Sequence, residues 1–271
     1  MIDAGAFGID DTVGTHLPIM SDNGKGEFTV RHGFSMSSGL WDESRPHTNS
    51  KLTLEQSVNT IAANTDVLFS PPGSQIAYDG KQMQVVGRLA EVATGKDWRT
   101  LASEQVFDKC SMSSSSFDVF GTNPAVAGGL STSPADYMTF MKMVMDGGVC
   151  GDVRVLSAAA IEEMFTNQTN DAPVAHTYWE SNHPDYPYGK DELRYGFGAW
   201  ILAENPETGV VEEITSPGAW GTFPWVDRKR NLHGIIATYI PLTEGGFRRV
   251  LDSELAILSL IRAEVDRVDS L

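Results

Sequence analysis

Apolar residues follow a helical period through the first 193 residues and a strand-like alternation after them. Leu54, Val58 and Ile61 stand one turn apart behind Thr53, which predicts a short amphipathic helix opened by a threonine cap. A breaker, Phe69-Ser70-Pro71-Pro72-Gly73, follows it. Beyond the breaker, Val85, Val86, Leu89 and Val92 share one face of a helix expected over residues 82–94, with Gly95 as its stop. Asp97 is placed to cap a further helix through Trp98 and Leu101. Ser133-Pro134-x-Asp136 sets a capping oxygen before a proline at the first helical position. The helix it opens turns Met138, Met141 and Met145 inward as core packing, and Ser157 opens another through Ile161, Met164 and Phe165. Residues 1–18 carry Gly5, Gly8, Asp10-Asp11 and Gly14, leave little room for a helix and read as an extended loop.

From Arg194 the pattern changes. Residues 195–202, 210–214, 221–226 and 234–240 are rich in β-branched and aromatic side chains, and turn residues separate them. They predict consecutive antiparallel strands. Leu251, Leu255, Leu258, Ile261 and Val265 then form one apolar stripe of a closing helix. Helices first, then a strand meander under a covering helix, is an α+β arrangement.

Composition removes several function classes. The net charge of −16 repels phosphate backbones, and no lysine or arginine cluster offsets it, so nucleic-acid binding is not expected. No run approaches the ~20 apolar residues of a membrane span. Residues 1–11 lack a basic n-region and do not read as a signal peptide. The six histidines and two cysteines show no metal-ligand spacing, so neither a metal nor a cofactor is expected. Cys110 and Cys150 are read as free thiols, with a disulfide as the lesser alternative.

Several segments, in order, resemble the serine β-lactamase and penicillin-binding-protein superfamily, with its class C β-lactamases, DD-peptidases and family VIII esterases. Asp10-Asp11-Thr12-Val13 with Leu17-Pro18 is similar to "LDDPV…YLP", and Thr29-Val30-Arg31-His32 followed by Ser37-Ser38-Gly39-Leu40 to "TIRHLLTHTSGL". Pro72-Gly73 and Tyr78 resemble "PGxxxxYxN", and Val92-Ala93-Thr94-Gly95 the following "VTG". Ala127-Gly128-Gly129-Leu130-Ser131-Thr132 resembles "AGGLxST", and Tyr195-Gly196-Phe197-Gly198-Ala199-Trp200 "YGLGW". Each piece is weak alone; their order and spacing carry the resemblance. It implies one β-lactamase-like domain over residues 1–271, mainly helical over 19–193, with strands and the covering helix over 194–271.

The resemblance also implies a chemistry. A serine attacks an ester or amide carbonyl to form an acyl-enzyme, helped by a lysine one helical turn later and a nearby tyrosine, while backbone N–H groups hold the oxyanion. Tyr78 matches the tyrosine and would relay protons. Gly80 stands where the family has an asparagine, which removes an amide that would orient an acylamide substrate. Ser216-Pro217-Gly218 stands in place of the Lys-Thr-Gly or His-x-Gly strand motif: Gly218 lets substrate approach the backbone, and the Ala219 N–H would be the strand-edge oxyanion donor. Gly80, Ser216, Gly218 and Trp220 are the substrate-side candidates, and Trp225 is explained equally by sheet packing. No serine in the chain has a lysine three residues on; Thr139 and Lys142 have that spacing but lie away from the family position. The nucleophile is therefore expected upstream of Met1, with Met1-Ile2-Asp3-Ala4-Gly5 the remnant of the segment that follows it.

Three functions compete. One is a hydrolase-family domain inactive as written, one a non-catalytic binding module that keeps the cleft, and one an esterase completed from an upstream start. The partners implied are a small ester or amide and, through an open apolar groove and strand edge, a second copy of the chain. His176, Tyr178, Trp179, His183, Tyr186 and Tyr188 crowd one insertion, read as a surface loop ahead of a lid over the cleft. Relatives of this family are often exported.

Overall fold

A computed structural model describes residues 1–119, 121–177, 193–239 and 246–270. Residues 13–34 hold three short helices, α1 (Val13–His16), α2 (Pro18–Asp22) and α3 (Val30–Phe34). The first corrects the expectation of an extended loop over residues 1–18, and the second begins where that expectation ends. Each is a single turn, with Pro18 supplying the pre-set φ of a first helical position for α2, so neither leaves a periodic trace in the sequence.

Helix α4 (Leu54–Asn64) begins at Thr53, whose hydroxyl accepts from the Gln56 N–H while the Gln56 side chain returns a bond to the Thr53 N–H. Helix α5 (Gly80–Thr94) begins two residues earlier than the apolar pattern requires, because Asp79 caps it by accepting from the Lys81 N–H. Asp97, Ser133 and Ser157 each cap the helix assigned to them: α6 (Trp98–Ala102), α7 (Pro134–Met145) and α8 (Ala158–Met164). On α7 the deeply buried methionines are Met141 and Met143, with Met138 and Met145 only partly covered.

The strand β1 (Ile76–Ala77) pairs in parallel with β4 (Val174–His176), and β2 (Val149–Cys150) forms a small hairpin with β3 (Val153–Arg154). The main sheet is an antiparallel meander of β5 (Trp200–Glu204), β6 (Val211–Thr215), β7 (Thr222–Asp227) and β8 (Leu232–Ala237), in that order. Its first strand starts later than the sequence suggests, because Gly198, at φ +74°, bends the chain and leaves Tyr195 with only an isolated bridge to Trp200. Across β7 and β8, the Trp225 ring lies over Gly234, where a Cβ would come within 2.2 Å of it. Trp225 is thereby a core residue.

Two cores organise the molecule. One gathers Val13, Met20, Phe28, Leu54, Val58, Ile61, Val85 and Leu89 around the inner face of α5. The other joins the sheet to α7, α8 and the closing helix α9 (Gly246–Asp269) through Met141, Ile161, Trp200, Phe223, Leu251, Leu255 and Leu258. Cys110 and Cys150 are disulfide-bonded with their Cα atoms 5.3 Å apart, which corrects the free-thiol reading. Their separation of 40 residues carried no sign of it; the path of the chain through α7 and into β2 brings them together.

Candidate functional site

Tyr78 follows directly on β1, and its N–H donates to the His176 carbonyl at 2.9 Å, so the backbone is held by the β1–β4 pair. Its half-buried ring stacks on Trp200 at 4.8 Å between centroids and meets Tyr195 edge-on at 6.0 Å. Trp200 is in turn the cross-strand partner of Thr215, the residue before Ser216. One indole thus separates Tyr78 from the strand end that leads into Ser216-Pro217-Gly218. Tyr78 and Tyr195 also share a hydrogen bond, and burial pushes the Tyr195 phenol well above its ordinary value. Tyr137, near Tyr78, is pushed up to about 12, first by burial and then by the Tyr78 charge. Both neighbours keep their protons at neutral pH.

Ser216 to Gly221 form the connection between β6 and β7. The Gly218 N–H donates to the Thr222 carbonyl at 2.7 Å and the Gly221 N–H to the Gly218 carbonyl at 3.0 Å, so the turn is closed on itself. Ala219 sits within this turn, not on the strand edge expected for it, because the ladder already breaks after Thr215. It is exposed, and its N–H has no acceptor among the described residues. Trp220 beside it is 44% exposed.

At Gly80 the structure explains the absent side chain. A Cβ there would meet His47 Cδ2 at 2.9 Å and the Ala127 Cβ at 3.1 Å. The imidazole of His47 therefore occupies the space in which an asparagine would begin, against the Ala127 of the Ala-Gly-Gly segment. Burial pushes His47 down to about 4, so the ring is neutral at pH 7, and its Nδ1 is enclosed without a hydrogen bond.

At the second residue of α5, Lys81 is wholly buried. Its Nζ reaches Asp79 Oδ2 at 3.1 Å, the Asp42 carbonyl at 2.8 Å and Asp42 Oδ1 at 3.3 Å. Neither Lys81, Asp42 nor His47 was singled out from sequence. The signal for Lys81 was present: it precedes Val85 and Leu89 on the same helical face, and that face is the buried one. The ring of His176 packs on Trp41 at 4.2 Å, which closes this group from the other side. Tyr178, Trp179, His183, Tyr186 and Tyr188 lie outside the described residues.

A hollow of about 610 Å3 is lined by Trp41, Asp42, Glu43, Asp66, Val67 and Leu68. It touches the edge of the Lys81 cluster but neither Tyr78 nor the Ser216–Gly221 turn. Among the described residues, lysines that hydrogen-bond donate to carboxylate or carbonyl oxygens and none to a serine hydroxyl. Thr139 gives its hydroxyl to the Ala135 carbonyl and Lys142 its ammonium to Asp146, so that spacing builds no activated pair. No helix among the described residues is long and apolar enough to cross a membrane.

The family model described as Beta-lactamase matches residues 1–255, and no curated protein sequence matches. Among solved structures, the chain is similar to a Bacteroides dorei protein classed with the beta-lactamases, at 25% identity and a TM-score of 0.74, over 93% of this chain and 78% of that one. It is also similar to the penicillin-binding protein of Bacillus halodurans, at 15% identity and a TM-score of 0.68, over 94% and 80% of the two chains. A third likeness is to an octameric penicillin-binding protein homologue from Pyrococcus abyssi, at 17% identity and a TM-score of 0.69, over 97% of this chain and 62% of that one. The last two show a shared fold. With the helical layer, the antiparallel meander and the ordered motifs in agreement, the chain belongs to the beta-lactamase family of serine-hydrolase-type domains.

Proposed function

We propose that residues 1–271 form a serine hydrolase-family domain that keeps the tyrosine and the substrate side of an ester or amide hydrolase and does not turn over substrate by itself. Tyr78 is the proton relay, the Ala219 N–H the oxyanion donor, and Ser216, Gly218, Gly80 and Trp220 line the substrate side. The observation that carries the reading is the contrast between these parts and the serines: no serine has a lysine three residues on, and no described lysine bonds one. A hydroxyl without a nearby base is a weak nucleophile at neutral pH, so the oxyanion donor and binding alone leave only residual acceleration. Gly80 favours an ester over an acylamide, since no amide side chain at that position is there to orient an amide. Purified chain should therefore give hydrolysis of nitrocefin and p-nitrophenyl butyrate at the buffer rate. Turnover well above that rate, lost on Tyr78→Phe, would show that an activated serine exists within the chain.

Self-association belongs to the same reading. Strand β8 ends the order β5-β6-β7-β8 with no further described strand beside it, and Ile257 and Leu260 of α9 are 43% and 72% exposed. An open edge and exposed apolar side chains favour pairing. Sedimentation velocity should show mass above the monomer as concentration rises; a monomer throughout contradicts this part.

A further inference from the structure

In the Ser216–Gly221 turn, Trp220 is paired with Tyr239, a residue to which the reading above gives no task. The rings of Trp220 and Tyr239 lie 5.6 Å apart between centroids and within 3° of parallel. At that separation parallel rings are offset, so each keeps part of a flat face uncovered, and the two residues are 44% and 76% exposed. They are held by one clamp. The N–H of Thr238 donates to the Gly221 carbonyl at 3.1 Å, and the Thr238 hydroxyl donates to the same oxygen. Trp220 is the residue before Gly221 and Tyr239 the residue after Thr238, so the clamp sets both rings. Ala219, whose N–H is unclaimed among the described residues, is the residue before Trp220. Two large aromatic faces fixed in parallel in water gain nothing for the core, and they border an N–H that points at no protein acceptor.

We propose that Trp220 and Tyr239 form a platform for a planar aryl group, carried by an ester whose carbonyl oxygen accepts from the Ala219 N–H. This rests on the reading of Ala219 as oxyanion donor and adds the substrate class. A flat ring continues the existing stack in its own orientation, gaining offset contact with rings that are already ordered, so little side-chain entropy is lost on binding. The net charge of −16 favours a neutral or cationic ring over an anionic one.

The experiment uses the isotope-labelled chain and two probes, methyl phenylacetate and methyl butyrate. Both esters should move the Ala219 amide resonance, and methyl phenylacetate should also move the Trp220 indole. Tyr239→Leu keeps apolar bulk at an exposed position while removing one ring face of the stack. It should weaken methyl phenylacetate by about five- to tenfold and leave methyl butyrate unchanged. If both esters weaken equally, or neither does, the platform is overturned and the Ala219 reading stands. Binding of methyl phenylacetate that moves the indole and leaves Ala219 still overturns the link between them. If neither ester moves Ala219, the oxyanion-donor reading fails and the platform falls with it.

Discussion

Lys81 has no exposed surface and lies between Asp79, which is 4% exposed, and the carbonyl and carboxylate of Asp42. Removing one partner of a buried ion pair strands the other, at a cost of about 3–5 kcal/mol. Lys81→Met should lower the unfolding free energy obtained from urea titration by that order, because two carboxylates then face an apolar site. Adding Asp79→Asn, which keeps an N-cap acceptor for α5, should return a large part of the loss. A Lys81→Met variant as stable as the parent would mean that the cluster is hydrated. The residue scale is also where sequence reading was least complete. Tyr78 was legible because its distance from Pro72-Gly73 is local in the chain. His47 was not, since its role against Gly80 is a contact across 33 positions of sequence and follows from a missing Cβ.

Elements were legible wherever a cap and a period coincided, as at Thr53 for α4, Asp97 for α6 and Ser133 for α7. They were misread or missed where geometry departs from period: the one-turn helix α1 read as loop, the one-turn helix α2 left unread, and the late start of β5 after the Gly198 bend. The docking of α9 on the sheet shows a further layer that pattern alone omits. Its apolar stripe buries Leu251, Leu255 and Leu258, but Arg262 also reaches Glu213 on β6, and Asp266 pairs with Arg230, which holds Asp227 on β7. Burial pushes Glu213 up to about 7 even against the pull of Arg262, and the facing Asp227 adds to the rise. The sign follows from proton counting: an acid raised in the folded state holds a proton that the unfolded chain has lost. Its contribution is full below the unfolded value near 4.5 and declines as pH rises toward about 7. Arg262→Ala should accordingly cost about 3 kcal/mol at pH 8, where Glu213 is ionised and loses its partner, and clearly less at pH 5, where Glu213 is already protonated. Equal losses at the two pH values, read by denaturant titration, would show that Glu213 is ionised throughout.

At the scale of the whole molecule, the α+β order, the antiparallel meander and the covering helix follow from the change of period near residue 194 and from the ordered family segments. What the sequence did not show is how the segment before α5 reaches the core that holds the sheet. Tyr78, just ahead of α5, stacks on Trp200 of β5, whose cross-strand partner Thr215 ends the strand before Ser216, a junction between the helical part and a β-hairpin far from it in the chain. That junction brings the Tyr78 phenol, the proposed proton relay, toward the strand end that leads to Ala219, and the proposed function requires that the chain hold no activated serine. Covalent labelling of the full chain with a fluorophosphonate probe, followed by peptide mapping, tests this most directly, because such a probe reports nucleophilic serines whatever the natural substrate. The predicted result is no stoichiometric label on any serine, in step with the absence of turnover. A single serine labelled to completion, and protected by Tyr78→Phe, would contradict the account and identify the nucleophile.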